Sequence, residues 1–170
     1  KLIIVGEKGH GNQSFPCSFD FRYYKDIYIV KTNLNGVALW QKTYGNEYLE
    51  KGTDIVAKES GGYVIAGEKC DHGYNIYSCD NRAKIILLEI DENGNSNQET
   101  VLNNLYFFES GSPISISNTS NGGYAFVSKP KNNGYTWFYK WGQNENSIDL
   151  KLENVCCGGE SIEMSNDGGF

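Results

Sequence analysis

Asp91, Asn93 and Asn95 place three oxygen-bearing side chains two residues apart around Gly94. Calcium loops use this spacing because a hard cation takes alternating carboxylate and carbonyl oxygens, so the segment is a candidate calcium site. A full loop also needs a bidentate acid further on, and Glu99 is off the EF-hand position. The other reading of the same residues is a hairpin tip whose Asp and Asn side chains bond their own backbone. Thiols are the second candidate chemistry. The chain has five cysteines, Cys17, Cys70, Cys79, Cys156 and Cys157, and an odd count leaves at least one without an internal partner. Cys70 and Cys79 bracket a short insertion, where a bridge would contribute about 2–3 kcal/mol. Cys17 is a candidate partner for Cys156 or Cys157, and these two neighbours could also form a strained vicinal disulfide. There is no Cys-x-x-Cys pair, and His10 and His72 are far from a helical His-x-x-x-His spacing. That speaks against zinc and leaves no evident base for a cysteine nucleophile, so no catalytic residue is assigned.

Two further sets concern surfaces. Asn12-Gln13-Ser14 and Asn118-Thr119-Ser120 fit the N-glycosylation acceptor pattern, with Asn12 and Asn118 as the modified residues. Phe15, Phe19, Phe21, Tyr23 and Tyr24, then Tyr74 and Tyr77, gather in two insertions. Exposed together they would stack on sugar rings or anchor a protein partner; turned inward they would pack their loops.

The elements that must position these residues recur along the chain. Ser60-Gly61-Gly62-Tyr63, Asn121-Gly122-Gly123-Tyr124 and Asp167-Gly168-Gly169-Phe170 are three copies of one phrase. Gly6 and Gly67 are 61 residues apart, as are Tyr63 and Tyr124; from Tyr124 to Phe170 is 46. The division is into repeats 1–62, 63–123 and 124–170. Each reads as four short strands: residues 2–7, 26–31, 37–44 and 54–58 in the first; 63–68, 84–90, 98–102 and 115–117 in the second; 124–129, 136–140, 147–152 and 161–164 in the third. Asn35-Gly36 and Asn93-Gly94 are read as the central pairs of type I′ hairpin turns, where both residues take positive φ. Apolar runs such as Ile85-Ile86-Leu87-Leu88 suit strands covered on both faces.

Four antiparallel strands per unit at this period is the pattern of β-propeller blades. The fold expected is all-β: three four-stranded blades of a partial ring, completed in cis by further sequence or by other chains. Three blades are too few, since propellers typically close with about 4–8.

Composition agrees. The 170 residues carry 12 Tyr, 20 Gly, 3 Pro and a net charge of −6, and no stretch has sustained helical periodicity. The 15 basic residues are scattered, which argues against a nucleic-acid partner. No apolar run approaches the ~20 residues of a membrane helix. The start at Lys1 leads us to expect a processed product or one piece of a longer polypeptide.

Asp26-Ile27-Tyr28-Ile29-Val30-Lys31, Trp40-Gln41-Lys42-Thr43-Tyr44-Gly45 and Gly61-Gly62-Tyr63-Val64-Ile65-Ala66-Gly67 together resemble a repeat of secreted and cell-surface propeller-like proteins, common in bacteria and archaea. The match is best over the first repeat; Asn103-Asn104 and Ser128 depart from it in the second and third. Ser165-Asn166-Asp167-Gly168-Gly169 also resembles the opening of an Asp-box, a structural turn of sialidase-type propellers. The resemblance implies a propeller and an extracellular or cell-surface setting, and no single activity, because fold does not supply function. The function expected is a non-catalytic module for protein or glycan binding or assembly, without a cofactor unless calcium. One alternative is a glycoside hydrolase or lyase fragment; against it, Asp54 aligns with Ser115 and Ser161, so no ring of carboxylates recurs. The other is a structural spacer or filament subunit of a large surface protein.

Overall fold

In a computed structural model the described residues are 1–11, 23–46, 49–70, 83–102, 114–128, 136–141, 150–152 and 161–165. The β-branched and aromatic runs form strands: β1 Leu2–Gly11, β2 Tyr23–Thr32, β3 Ala38–Tyr44, β4 Leu49–Ala57, β5 Tyr63–Cys70, β6 Ala83–Ile90, β7 Ser96–Leu102, β8 Ile114–Asn118, β9 Tyr124–Ser128, β10 Thr136–Trp141 and β11 Leu150–Leu152. The protein is all-β, with no helix among the described residues.

Hydrogen bonding orders β1-β2-β4-β5-β6-β7 in one sheet, with β3 on β2, and β11-β10-β9-β8 in a second. The β2–β4 link is a single parallel pair, Lys25↔Leu49. On either side of it the pairing is antiparallel and continuous, so β1–β3 and β4–β7 behave as two units. The run β4-β5-β6-β7 is repeated by β8-β9-β10-β11. These two four-stranded units thus take their leading strand from before a Gly-Gly turn and the other three from after it. No closed barrel or ring of sheets forms among the described residues.

Alternation along β5 decides how the units meet. Val64 and Ala66 join Ile85 and Leu87 on one face and pack against Ile116, Phe126 and Tyr139 of the β8–β11 sheet. Ile65 points the other way, with Tyr63, Ile86, Leu88 and Ile90, and packs on Ile27 and Ile29 of β2. Val64, Ile65, Ile85 and Ile86 are fully buried. At about 1.5–3 kcal/mol per buried aliphatic side chain, these two cores are what hold the units face to face.

The structure corrects several sequence expectations. The β2–β3 turn is not type I′ on Asn35-Gly36. Gly36 N donates to Asn33 O (3.1 Å), so Leu34 and Asn35 are the central pair and Gly36, at φ 79°, closes the turn in the left-handed region. A register shift follows at Lys31/Thr32. The β6–β7 turn is built alike, with Gly94 N donating to Asp91 O (3.0 Å) and Gly94 at φ 75°. This is the three-residue hairpin loop with a bulge. Asn33 Oδ1 accepts from Asn35 N and Val37 N, which draws the turn one residue back. The connection between the expected strands 2–7 and 26–31 is shorter than they imply, because Lys8 to Gly11 pair with Asp26 to Tyr23. Tyr23 and Tyr24 therefore belong to β2, not to the loop. Residues 161–164, read as a strand, pair with no strand among the described residues.

Candidate functional site

Polar side chains gather where units meet, and they do so at the repeat spacing. Ile27, Ile29 and Lys31 share one face of β2, so the same alternation that buries two isoleucines buries a lysine. Lys31 is 3 % exposed. Its ammonium donates to Glu92 O (3.0 Å) and to the Glu92 carboxylate, from the turn 61 residues on. It also lies 5.0 Å from the Tyr63 ring centre and 5.9 Å from that of Trp40, within cation–π range. Burial pulls its pKa down, but hydrogen bonds and charge from Glu92 and Tyr63 outweigh this and leave it above the ordinary lysine value. The Lys31 bond, then the Gly62 N–H (3.3 Å), hold Glu92 below the ordinary carboxyl value.

The rest of that turn is seated on β3. Trp40 Nε1 donates to Glu92 O (3.1 Å), Tyr44 OH to Gly94 O (2.6 Å) and Lys42 Nζ to Asn95 Oδ1 (2.8 Å). Burial, then the Asp91 charge, push the Tyr44 phenol up to about 12. Two of the three calcium candidates, Asp91 and Asn95, have their side-chain oxygens engaged in the same turn. Asp91 Oδ1 accepts from Asn93 N (2.8 Å) and Asn95 N (2.7 Å), and Oδ2 accepts from Asn95 Nδ2 (2.8 Å). Those bonds, led by Asn95, lower the Asp91 pKa. Asp91 and Asn95 thus bond the hairpin tip itself, and no group of three or more His, Cys, Asp or Glu fit for a metal occurs among the described residues.

A second network links the leading strands. Asp54 Oδ2 accepts from Ser115 Oγ (2.8 Å) and Ile116 N (2.9 Å). Ser115 Oγ accepts in turn from Ile162 N (3.3 Å), and Ser117 Oγ from Met164 N (3.1 Å). Asn118 Nδ2, the glycosylation candidate, donates to Ala57 O (3.0 Å). Strand β4, strand β8 and residues 161–165 therefore lie side by side at equivalent repeat positions. Of the aligned set Asp54, Ser115 and Ser161, the first two form a structural relay that continues to the Ile162 backbone.

At the far end of β4, Glu50 is buried. Burial raises its pKa above the ordinary carboxyl value, despite Lys69 Nζ at 3.8 Å and a bond from the Asn46 backbone. Lys69 makes its closer contact with Glu99 (2.8 Å). Cys70 is buried at the end of β5 and disulfide-bonded. Cys17, Cys79, Cys156, Cys157, Asn12, Phe15, Phe19, Phe21, Tyr74 and Tyr77 lie outside the described residues, as does the third Gly-Gly phrase.

Sequence reasoning missed Lys31, Glu92 and Glu50. A lysine in phase with Ile27 and Ile29 was the readable signal for Lys31; Glu50 has none. One apolar surface was also unread: Leu2, Ile4, Leu34, Val37 and Leu39 are exposed, Leu34 by 79 %. No protein-family model and no curated protein sequence matches the chain.

Proposed function

We propose that the chain is a β-propeller-type module, extracellular or cell-surface, that binds or assembles with other molecules and is not itself an enzyme. The observation that supports this best is the lateral contact of leading strands, β4 to β8 to residues 161–165, through Asp54, Ser115 and Ser117. First strands that touch in succession, while the sheet faces stack, are what a blade arrangement around an axis would require. The polar groups on that side bond one unit to the next. Equivalent hairpins, Gly11 with Tyr23 and Cys70 with Ala83 at their ends, carry the insertions rich in aromatic and cysteine residues, and these are the proposed ligand-facing loops. The extracellular setting rests on the resemblance of the first repeat and on the glycosylation and cysteine patterns.

A panel of glycans and cell-surface proteins, scored for both retention and turnover, tests the reading. Retention of a ligand without chemical change is the expected result. Hydrolysis or elimination of any glycan overturns the non-catalytic part.

A further inference from the structure

Two Asn-Gly pairs sit in turns of one type and differ in what surrounds them. Gly94 N donates to Asp91 O (3.0 Å) and Gly122 N to Thr119 O (3.1 Å), with the two glycines at φ 75° and 81°. Asn93 and Asn121 thus hold the same place in their turns, and both are exposed. The pairing carries a chemistry of its own. The backbone nitrogen that follows an asparagine can attack the side-chain amide, and glycine puts no Cβ in its way.

The glycines are held differently. Gly94 is buried. A Cβ there would meet the Trp40 ring and Lys42 Cδ at 3.1 Å, and its carbonyl accepts from Tyr44 OH (2.6 Å). Gly122 is exposed, and a Cβ on it would meet nothing within 4 Å. Its turn is held by its own bonds: Thr119 N to Gly123 O (2.9 Å), Gly123 N to Thr119 Oγ1 (2.9 Å) and Thr119 Oγ1 to Asn121 Oδ1 (2.5 Å). The last of these falls on the carboxamide oxygen. It draws charge from the carbon to be attacked, as an oxyanion donor does. This openness does not depend on flanking sequence. Ser60 and Gly61 are the equivalents one repeat earlier, and they are exposed although their sheet is covered on both faces.

We propose that Asn121 is a site of spontaneous deamidation, and that its counterpart Asn93 is kept intact by the seat of its turn on β3. The Gly122 nitrogen gives its proton to solvent base and bonds to Asn121 Cγ. The Cγ–Nδ2 bond breaks and ammonia leaves, its third hydrogen supplied by water. Water then adds to either carbonyl of the succinimide ring and opens it, giving aspartate or isoaspartate at position 121. Water is the only co-reactant. The turn must open locally for the nitrogen to reach Cγ. At Asn121 that breaks bonds within one turn; at Asn93 it also unseats the turn from Trp40 and Tyr44. An isoaspartate adds a backbone carbon, which the space around Gly122 admits and the packing of Gly94 on Trp40 does not. Asn35-Gly36 is a different case: the 33–37 hairpin is the counterpart of the seated one, so its reactivity depends on what faces it.

Incubation of the 170-residue chain in mildly alkaline buffer, followed by peptide mass mapping, tests this. The amide-to-acid mass gain is expected in the Asn121 peptide about tenfold or more faster than in the Asn93 peptide, because the seating bonds from Tyr44 and Trp40 must break first at the latter. Enzymatic methylation of the isoaspartyl carboxylate reads the isoaspartate share. In the urea-unfolded chain the two pairs are expected to convert at similar rates. Tyr44→Phe is expected to speed Asn93 and leave Asn121 unchanged. Equal rates in the folded chain, or a faster Asn93, overturn the proposal, as does an Asn121 that stays intact while the unfolded chain converts. A Tyr44→Phe variant in which Asn93 stays as slow as in the parent, or in which both pairs speed up alike, overturns the protection by the seat.

Discussion

An ammonium group buried between two sheets is stable only while its charge is answered, because desolvating an ion costs several kcal/mol. Lys31 is answered by Glu92 and by two rings. Removing either partner is therefore not symmetric. Glu92→Ala leaves a buried cation short of its counter-charge, whereas Lys31→Met leaves a carboxylate that is already 55 % exposed and can hydrate. We expect Glu92→Ala to cost about 1–2 kcal/mol, discounted for that exposure, and Lys31→Met to cost less. Urea midpoints of both variants and of the double mutant measure this; a larger loss for Lys31→Met contradicts it. Glu50 gives the pH counterpart. Its pKa is raised in the folded protein, so folding favours the protonated form. The stability it contributes is full below the ordinary value of 4.5 and is lost as pH rises through the raised folded value. Glu50→Gln should therefore stabilise the protein at pH 7 and lose that advantage in acid. Thermal melts at the two pH values read the effect, and a variant less stable at neutral pH would refute it.

At the scale of elements, the turns separate what a sequence displays from what it hides. Asn-Gly marked both hairpins in the right places, because glycine is the residue that enters the left-handed region without steric cost. The turn type was not legible, since it depends on Asn33 and Asp91 accepting two backbone N–H groups each. Strand extents failed for a related reason. Gly9 and Gly11 have low strand propensity, yet ladder partners across β2 extend β1 through them. Residues 161–164 have strand character, but a strand is made by a main-chain partner, and none of the described strands pairs with them. The two turns also make a paired prediction. A Cβ at Gly36 would meet nothing within 4 Å, whereas at Gly94 it would meet the Trp40 ring and Lys42 Cδ at 3.1 Å. Gly36→Ala should cost about 1 kcal/mol from backbone strain alone, and Gly94→Ala about 2–4 kcal/mol because crowding of the seated turn adds to it. Equal losses in chemical denaturation would show that the turn is not seated on β3.

At the scale of the molecule, the repeat was legible because the 61-residue spacing recurs in glycines and tyrosines that any reader can align. The same spacing reappears as physical contact, from Lys31 to Glu92 and from Ser115 to Asp54. What the sequence could not say is which strand each sheet borrows, since Gly61-Gly62 punctuates the chain between strands that turn out to be hydrogen-bonded neighbours. All of this requires that consecutive β5 side chains serve opposite cores. Methyl-resolved NMR tests that requirement most directly. Nuclear Overhauser contacts should join Ile65 methyls to Ile27 and Ile29, and Val64 methyls to the Phe126 ring, with none between Ile65 and Phe126. A contact between Ile65 and Phe126 would place both in a single core and contradict the stacked arrangement.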